Sequence, residues 1–218
     1  MTGEFKEEDA KKVKQSVRRD GYWNFFKKNL QIQFALKNNK LDITEIGSGT
    51  GDNCILTNKS LSYLLNKYTC IDASKEMLKF IEIENFKTTE LIHQNLDENQ
   101  KIPKSDIVIA KFMFHHLKNK EEVINNIYNS LNKNGALLII DKFPILPIKL
   151  VNLIEKIFHI TGYRKQLGKH YYTEYPKFKK IINKFDLEDE IIKQPKSFKN
   201  FYVIRVFLVL RKKTSDWK

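Results

Sequence analysis

The chain has 218 residues and a mass of 25.8 kDa, most simply one domain, and its 41% hydrophobic and 12% aromatic content is too apolar for a disordered chain. It contains no run of about 18 apolar residues, which argues against a membrane-spanning helix, and residues 1–14 are charged and lack the apolar stretch of a signal peptide. The net charge of +13 is unevenly spread: residues 41–141 carry 11 basic and 14 acidic side chains, whereas 1–40, 142–180 and 181–218 carry +5, +7 and +4. That distribution favours an anionic partner at the two flanks. Only five of the 39 basic residues are arginine, however, and a chain rich in Lys, Asn and Ile can owe its charge to genome composition alone. The two cysteines, Cys54 and Cys70, have neither disulfide-framework nor metal-ligand spacing and read as core thiols of a cytoplasmic protein.

In chain order, residues 5–37 read as one or two helices with Tyr22, Trp23, Phe25 and Phe26 clustered. Leu41–Ile46 is a predicted buried strand, followed by Gly47-Ser48-Gly49-Thr50-Gly51-Asp52. A helix is expected over Asn53–Leu65, a strand over Tyr68–Asp72, and a helix over Ser74–Glu84 with Ser74 as its N-cap. Strands follow at Thr88–His93 and Asp106–Ala110. A helix at Glu121–Leu131 stops before Lys133-Asn134-Gly135, and Ala136–Asp141 is a further apolar strand. Strands apolar on both faces and alternating with helices predict a parallel sheet covered on both sides. Residues 142–183 read as an insert in which Leu150, Leu153, Ile154, Ile157 and Phe158 form an amphipathic stripe. Leu187–Ile192 and Phe201–Leu210, joined by too few residues for a crossover helix, predict an antiparallel pair. No repeat or linker interrupts the chain. We therefore expect a single domain with a helical cap (1–40), a core (41–141), an insert (142–183) and a strand pair (184–218).

The glycine turn carries the chemistry. Glycines at alternate positions let the backbone turn sharply and approach a ligand, and a strand-to-helix turn of this kind holds nucleotide-like cofactors. The dinucleotide fingerprint requires its third glycine where this chain has Asp52, and the Gly-Lys-Ser/Thr of a P-loop is absent. A carboxylate beside the helix start also disfavours a pyrophosphate there. Asp72, 21 residues after Gly51, sits where an acid accepts hydrogen bonds from a ribose diol.

Over residues 41–141 the chain resembles the class I S-adenosylmethionine-dependent methyltransferases of small molecules. Glu45-Ile-Gly-Ser-Gly-Thr-Gly51 looks like the family's first motif, and Cys70-Ile-Asp-Ala-Ser74 with Glu76-Met77-Leu78 like its second. His93 to Asp97, Ser105 to Leu117 and Leu131 to Asp141 follow in order at family-like spacing. The resemblance implies an α/β Rossmann-like fold: a mostly parallel seven-stranded sheet with an antiparallel last strand and helices on both faces. It implies S-adenosyl-L-methionine as cofactor. Gly47, Ser48, Gly49 and Gly51 would line its methionine and ribose side. Glu45 would lie near its ammonium and Asp72 on its ribose hydroxyls. Ala73, Met77, Asn95 and Leu96 would surround the adenine, with Lys111 and Phe112 beside the sulfonium. Asn95 stands where the family usually has Asp, with Asp97 as an alternative adenine contact.

The reaction then requires an acceptor aligned with the methyl group and a route for its proton. His115 and His116 follow the fourth strand at the rim and are candidate bases. Asp141 is a candidate for orienting the acceptor, and His170 and Tyr171, beside Tyr172, for binding it. His93 and His159 read as structural, and no metal is expected. The acceptor expected is a small molecule, amphipathic and anionic or lipid-like, with Arg164, Lys165 and Lys169 meeting its charge and O-methylation favoured. The competing expectations are an RNA methyltransferase using the basic surface and a non-catalytic interaction protein on the same fold. Amphipathic Ile148–Ile160 offers a peripheral membrane contact. Oligomeric state is left open.

Overall fold

The computed structural model describes residues 22–82, 86–98, 101–160, 170–194 and 202–213. Helix α1 (Trp23–Lys37) precedes β1 (Leu41–Ile46), α2 (Asp52–Leu61), β2 (Leu65–Asp72), α3 (Lys75–Leu78) and β3 (Thr89–His93). Then come β4 (Ser105–Lys111), α4 (Lys120–Ser130), β5 (Leu131–Pro144), α5 (Ile148–Ile160), α6 (Tyr175–Ile181), β6 (Phe185–Lys193) and β7 (Val203–Lys212). The seven strands lie in the order β3-β2-β1-β4-β5-β7-β6. The pairs from β3 to β5 are parallel, while β7 runs antiparallel to both β5 and β6, as expected for this fold. The strand order reverses between β1 and β4, and a crevice at such a switch point is where open α/β sheets bind ligands.

The alternation of apolar side chains explains why both faces are covered. Val108 and Ala110 of β4, with Leu137 and Ile139 of β5, enter one core with Phe114, Val123, Ile127 and Phe178. Their neighbours Ile107, Ile109, Leu138 and Ile140 enter the opposite core with Phe26, Leu30, Cys54 and Tyr68. Each fully buried large side chain contributes about 1.5–3 kcal/mol. A smaller third cluster joins Val151 of α5 to Tyr172, Tyr202 and Val203.

Several boundaries move from expectation. The second predicted helix breaks into α2 and a 3₁₀ turn, Ser62–Leu64. Ser74 does cap α3, its Oγ accepting from Met77 N–H at 3.2 Å, but that helix ends at Leu78. Ile81 then packs against Gly51 instead of continuing the helix. The stripe predicted for α5 is also rotated: Leu150, Leu153 and Ile157 are exposed, whereas Val151 and Glu155 are buried and Ile154 and Phe158 half-buried. Periodicity found the helix but not its inner face, because the buried face includes an acid. Arg164, Lys165 and Lys169, Tyr163 and the side chain of His159 lie outside the described residues, as do residues 1–21.

Candidate active site

At the β1–α2 turn, Gly47, Gly49 and Gly51 all have left-handed backbone, with φ of 63°, 54° and 73°. Two of them are also closed in by packing. A Cβ on Gly47 would lie 2.4 Å from Met113 Cγ, and one on Gly51 2.5 Å from Ile81 Cγ1. Gly49 differs, because a Cβ there would meet nothing within 4 Å. The turn therefore packs at its ends and opens at its centre. The Gly49 N–H donates to Asp72 Oδ2 at 2.8 Å, and Ser74 N–H donates to Asp72 Oδ1 at 2.9 Å. Burial pushes the Asp72 carboxyl above its ordinary pKa, against the lowering effect of these bonds. Ser48 Oγ is buried without a hydrogen-bond partner. An open floor beside an acidic strand end, with one unsatisfied buried hydroxyl, fits a polar cofactor containing a ribose.

Glu45 is placed differently from expectation. It is 2% exposed and accepts hydrogen bonds from Asn53 Nδ2 at 2.7 Å and Tyr68 Oη at 2.9 Å. Its carboxylate thus ties β1 to α2 and β2, rather than standing open to a ligand's ammonium. Burial raises its pKa to about 7, against Lys111 and the two hydrogen bonds, which lower it. Ala73 accepts from His93 Nε2 at 3.0 Å through its carbonyl, and Met77 and Leu96 are buried. Asn95 Oδ1 accepts from Asp97 N–H at 3.2 Å, and its amide donates to Glu98 at 2.8 Å. Asp97 Oδ1 accepts from Lys118 and Asn119 N–H at 2.9 and 3.1 Å, which ties it to the approach to α4 and leaves it a poor candidate for adenine. Lys111 ends β4. Phe112, immediately after it, has φ of 53° although it is not glycine. Such backbone costs about 1–3 kcal/mol and tends to mark functional sites. Tyr22 packs edge-on to the Phe112 ring at 5.3 Å, and Lys142 Nζ lies 5.1 Å from the ring centre.

Beyond Phe112, the 3₁₀ turn Phe114–His116 brings His115 against β5. His115 Nδ1 lies 2.5 Å from Asp141 Oδ1, and Asp141 Oδ2 accepts the His115 N–H at 3.3 Å. Asp141 Oδ1 also accepts Lys142 N–H at 2.7 Å. Fully buried, with β5 running on to Pro144, Asp141 faces His115 and not the rim, so it is not placed to touch an acceptor directly. Burial opposes the Asp141 charge, but His115, the Lys142 N–H and His116 together hold the carboxyl below its usual range. Burial pushes the His115 ring down, with Asp141 opposing in part.

His170 joins from a distant segment. Its Nδ1 lies 2.8 Å from Glu155 Oε2, and Glu155 Oε1 accepts from Tyr172 Oη at 2.8 Å and Tyr202 Oη at 3.0 Å. Burial would raise Glu155, but the His170 and tyrosine bonds bring it down to about 2. Tyr171 contributes backbone: its N–H donates to the His115 carbonyl at 2.6 Å. Buried Lys120 donates to the carbonyls of Leu117 and Tyr171, both at 2.5 Å, pinning the two segments together. The His116 ring lies 4.1 Å from that of His115 and 4.9 Å from that of His170.

Sequence reasoning missed Met113, Glu155, Lys120 and Tyr202. Only Glu155 left a signal, as the one acid between residues 142 and 173.

Residues 44–137 match a family model described as a methyltransferase domain. Over that segment the chain is similar to methyltransferase domains, and its sheet has the Rossmann-like fold of the S-adenosylmethionine-dependent methyltransferases. Over 120 residues it is 28% identical to the polyketide synthase component of compactin nonaketide synthase from Penicillium citrinum, spanning 50% of this chain but 4% of that one. Solved methyltransferases share the fold at low identity. NodS, an N-methyltransferase of Bradyrhizobium japonicum, aligns with a TM-score of 0.62 at 10% identity, covering 90% of each chain. Magnesium protoporphyrin IX methyltransferase of Synechocystis aligns at 0.61 and 18% identity, covering 92% of this chain and 87% of that one. Phosphoethanolamine N-methyltransferase 2 of Haemonchus contortus aligns at 0.61 and 14% identity, covering 80% of this chain but 49% of that one. The methyltransferase fold is therefore shared by proteins named for quite different acceptors. Among the described residues, no helix is long and apolar enough to cross a membrane.

Proposed function

We propose that this methyltransferase binds S-adenosyl-L-methionine over Gly49 and methylates a hydroxyl oxygen of a small amphipathic acceptor that carries an anionic group. The observation that carries the acceptor half is the buried His115–Asp141 pair, 2.5 Å apart at the rim beyond the Phe112 turn. An oxygen acceptor with a proton to lose needs a neutral imidazole, and an ionised carboxylate on Nδ1 leaves Nε2 as that acceptor. When bound, the cofactor supplies an activated methyl group on a sulfonium. Asp72 would hold the ribose, Ser48 Oγ would find its missing partner, and the Gly49 backbone would form the floor. His115 Nε2 takes the hydroxyl proton, while Asp141 fixes the ring and stabilises its charge. It is a positioning residue.

Two cations bracket this rim: Lys142 over Phe112 at 5.1 Å, and Lys118 over Tyr171 at 5.6 Å. They supply the charge that favours an anionic group on the acceptor. The reading is tested by presenting the full chain and labelled cofactor with a panel of hydroxylated aromatic and alkyl acids, their uncharged analogues, and RNA. Label is expected on the acids; transfer only to RNA, with salt-sensitive affinity, overturns it.

A further inference from the structure

Three imidazoles from two distant segments converge at this rim. His115, His116 and His170 each offer a ring nitrogen, and these nitrogens lie within 4.8 Å of one another. Packing alone does not explain how two of the rings are held. His115 is gripped through Nδ1 by Asp141 at 2.5 Å, and His170 through Nδ1 by Glu155 at 2.8 Å. With a carboxylate accepting at Nδ1, the remaining nitrogen, Nε2, keeps its lone pair and can serve as a ligand atom. A carboxylate behind each imidazole is the arrangement that orients metal-ligating histidines and raises their basicity. Both carboxylates are themselves fixed, Asp141 by backbone N–H groups and Glu155 by Tyr172 and Tyr202.

We propose that His115, His116 and His170 bind one divalent transition-metal ion of the zinc class, with a position left open for an oxygen of the acceptor. Three neutral nitrogens suit such an ion, and three protein ligands are the number that leaves a site open to substrate. Bonds of about 2.0–2.1 Å require donor separations of about 3.4 Å, so the cluster closes by roughly an ångström on loading. The proposal rests on reading this rim as the acceptor side, and it replaces one step there. In the loaded protein His115 is a ligand. The acceptor O–H bond then breaks with its proton passing to water, and the ion holds the negative charge left on oxygen. The later formation of the carbon–oxygen bond and cleavage of the carbon–sulfur bond are unchanged.

The test uses the untagged full chain, freed of metal with a chelator and titrated with Co²⁺, followed by competition with Zn²⁺. Visible ligand-field bands of low-coordinate cobalt at one ion per chain are expected, lost on adding Zn²⁺. His170→Ala and His116→Gln are each expected to weaken binding at least tenfold, and Glu155→Gln about 10- to 100-fold. S-adenosylhomocysteine affinity in each variant should stay within threefold of the parent and so reports folding; should His170→Ala not fold, His116→Gln carries the comparison. Absence of cobalt bands, or unchanged affinity in the folded variants, overturns the proposal. Methyl transfer that persists in a chelator leaves His115 as base and removes the metal. Metal binding with no transfer to any hydroxylated acid keeps the metal and removes the acceptor reading.

Discussion

At the proposed donor end, the turn from Gly47 to Gly51 meets Asp72 across 23 residues of sequence, and much of the surface is backbone. At the proposed acceptor end, the working groups are side chains drawn from a 3₁₀ turn, a strand, a helix and an extended segment. His115 and Asp141 are 26 residues apart, and Tyr202 and Glu155 are 47 apart. The first end is specified by conformation, because left-handed backbone at three alternate positions of one turn strongly favours glycine there. The second is specified by pairing, in which two of the imidazoles each meet a carboxylate and each carboxylate takes further donors. A backbone site tolerates little change in its own residues, while a paired site can be dismantled one partner at a time.

Substitution within the glycine turn should break this contrast most severely. Gly47→Val places branched carbon into Met113 at a φ of 63°, costing at least about 3 kcal/mol from strain and overpacking together. Cofactor binding, read by calorimetry with S-adenosylhomocysteine, should be abolished. Gly49→Ala should separate the two contributions: strain of about 1–2 kcal/mol without a clash, a retained fold by circular dichroism, and cofactor affinity reduced at least tenfold. If Gly47→Val binds as well as Gly49→Ala, the packing account of the turn fails.

The paired end should respond in rate. Asp141→Asn leaves a ring acceptor for His115 but removes the charge that stabilises its protonated form. A fall in kcat of about 10²–10³-fold is expected in steady-state methyl transfer, with S-adenosylhomocysteine affinity within threefold of the parent. An equal loss of cofactor affinity would mean that the two ends are not separable.

Asp72→Ala is the complementary change, removing an acceptor for the ribose. A loss of affinity of about 2–3 kcal/mol is expected in the same calorimetric titration, with kcat at saturating cofactor much less affected. Unchanged affinity would remove Asp72 from the site.

The smallest effect concerns Glu45, which belongs to neither end's chemistry. Its pKa is raised in the folded state to about 7 from an ordinary 4.5, so its stabilising share is full below pH 4.5 and is lost as pH rises toward 7. Glu45→Gln should therefore gain on the parent across that window, by on the order of 1–3 kcal/mol, and keep that gain unchanged above pH 7. Urea unfolding at pH 5 and pH 8 reads the difference; a constant offset would place the Glu45 pKa elsewhere.

How much was legible follows from the same contrast. The succession of strands and helices along the chain, the glycine turn, the Ser74 cap and the antiparallel end come from local patterns of apolar residues and turn formers, and these hold in the structure. The inner face of α5 did not come through, because Glu155 interrupts the apolar stripe on the side that is buried. The histidines were visible one by one, but their meeting was not. Nothing local to His170 says that Glu155 lies 2.8 Å away or that the His116 ring lies 4.9 Å from its own. Likewise, Asp141 read as a rim residue until β5 was seen to run past it to Pro144 and to turn its carboxylate inward.

By itself, then, the sequence determined the alternation of strands and helices, the antiparallel pair at the end of the chain and the glycine turn, while the reversal of strand order between β1 and β4 came with the structure. The first three depend on backbone preferences and alternation, which short segments express on their own. Only the tertiary structure decided that Glu45 and Asp97 are tied into the scaffold, that Met113 closes the glycine turn, and that three histidines share one rim with a carboxylate behind two of them. Those facts depend on side chains from distant segments meeting in a low-dielectric interior, where an unpaired polar group is costly and its partner must be supplied by the fold.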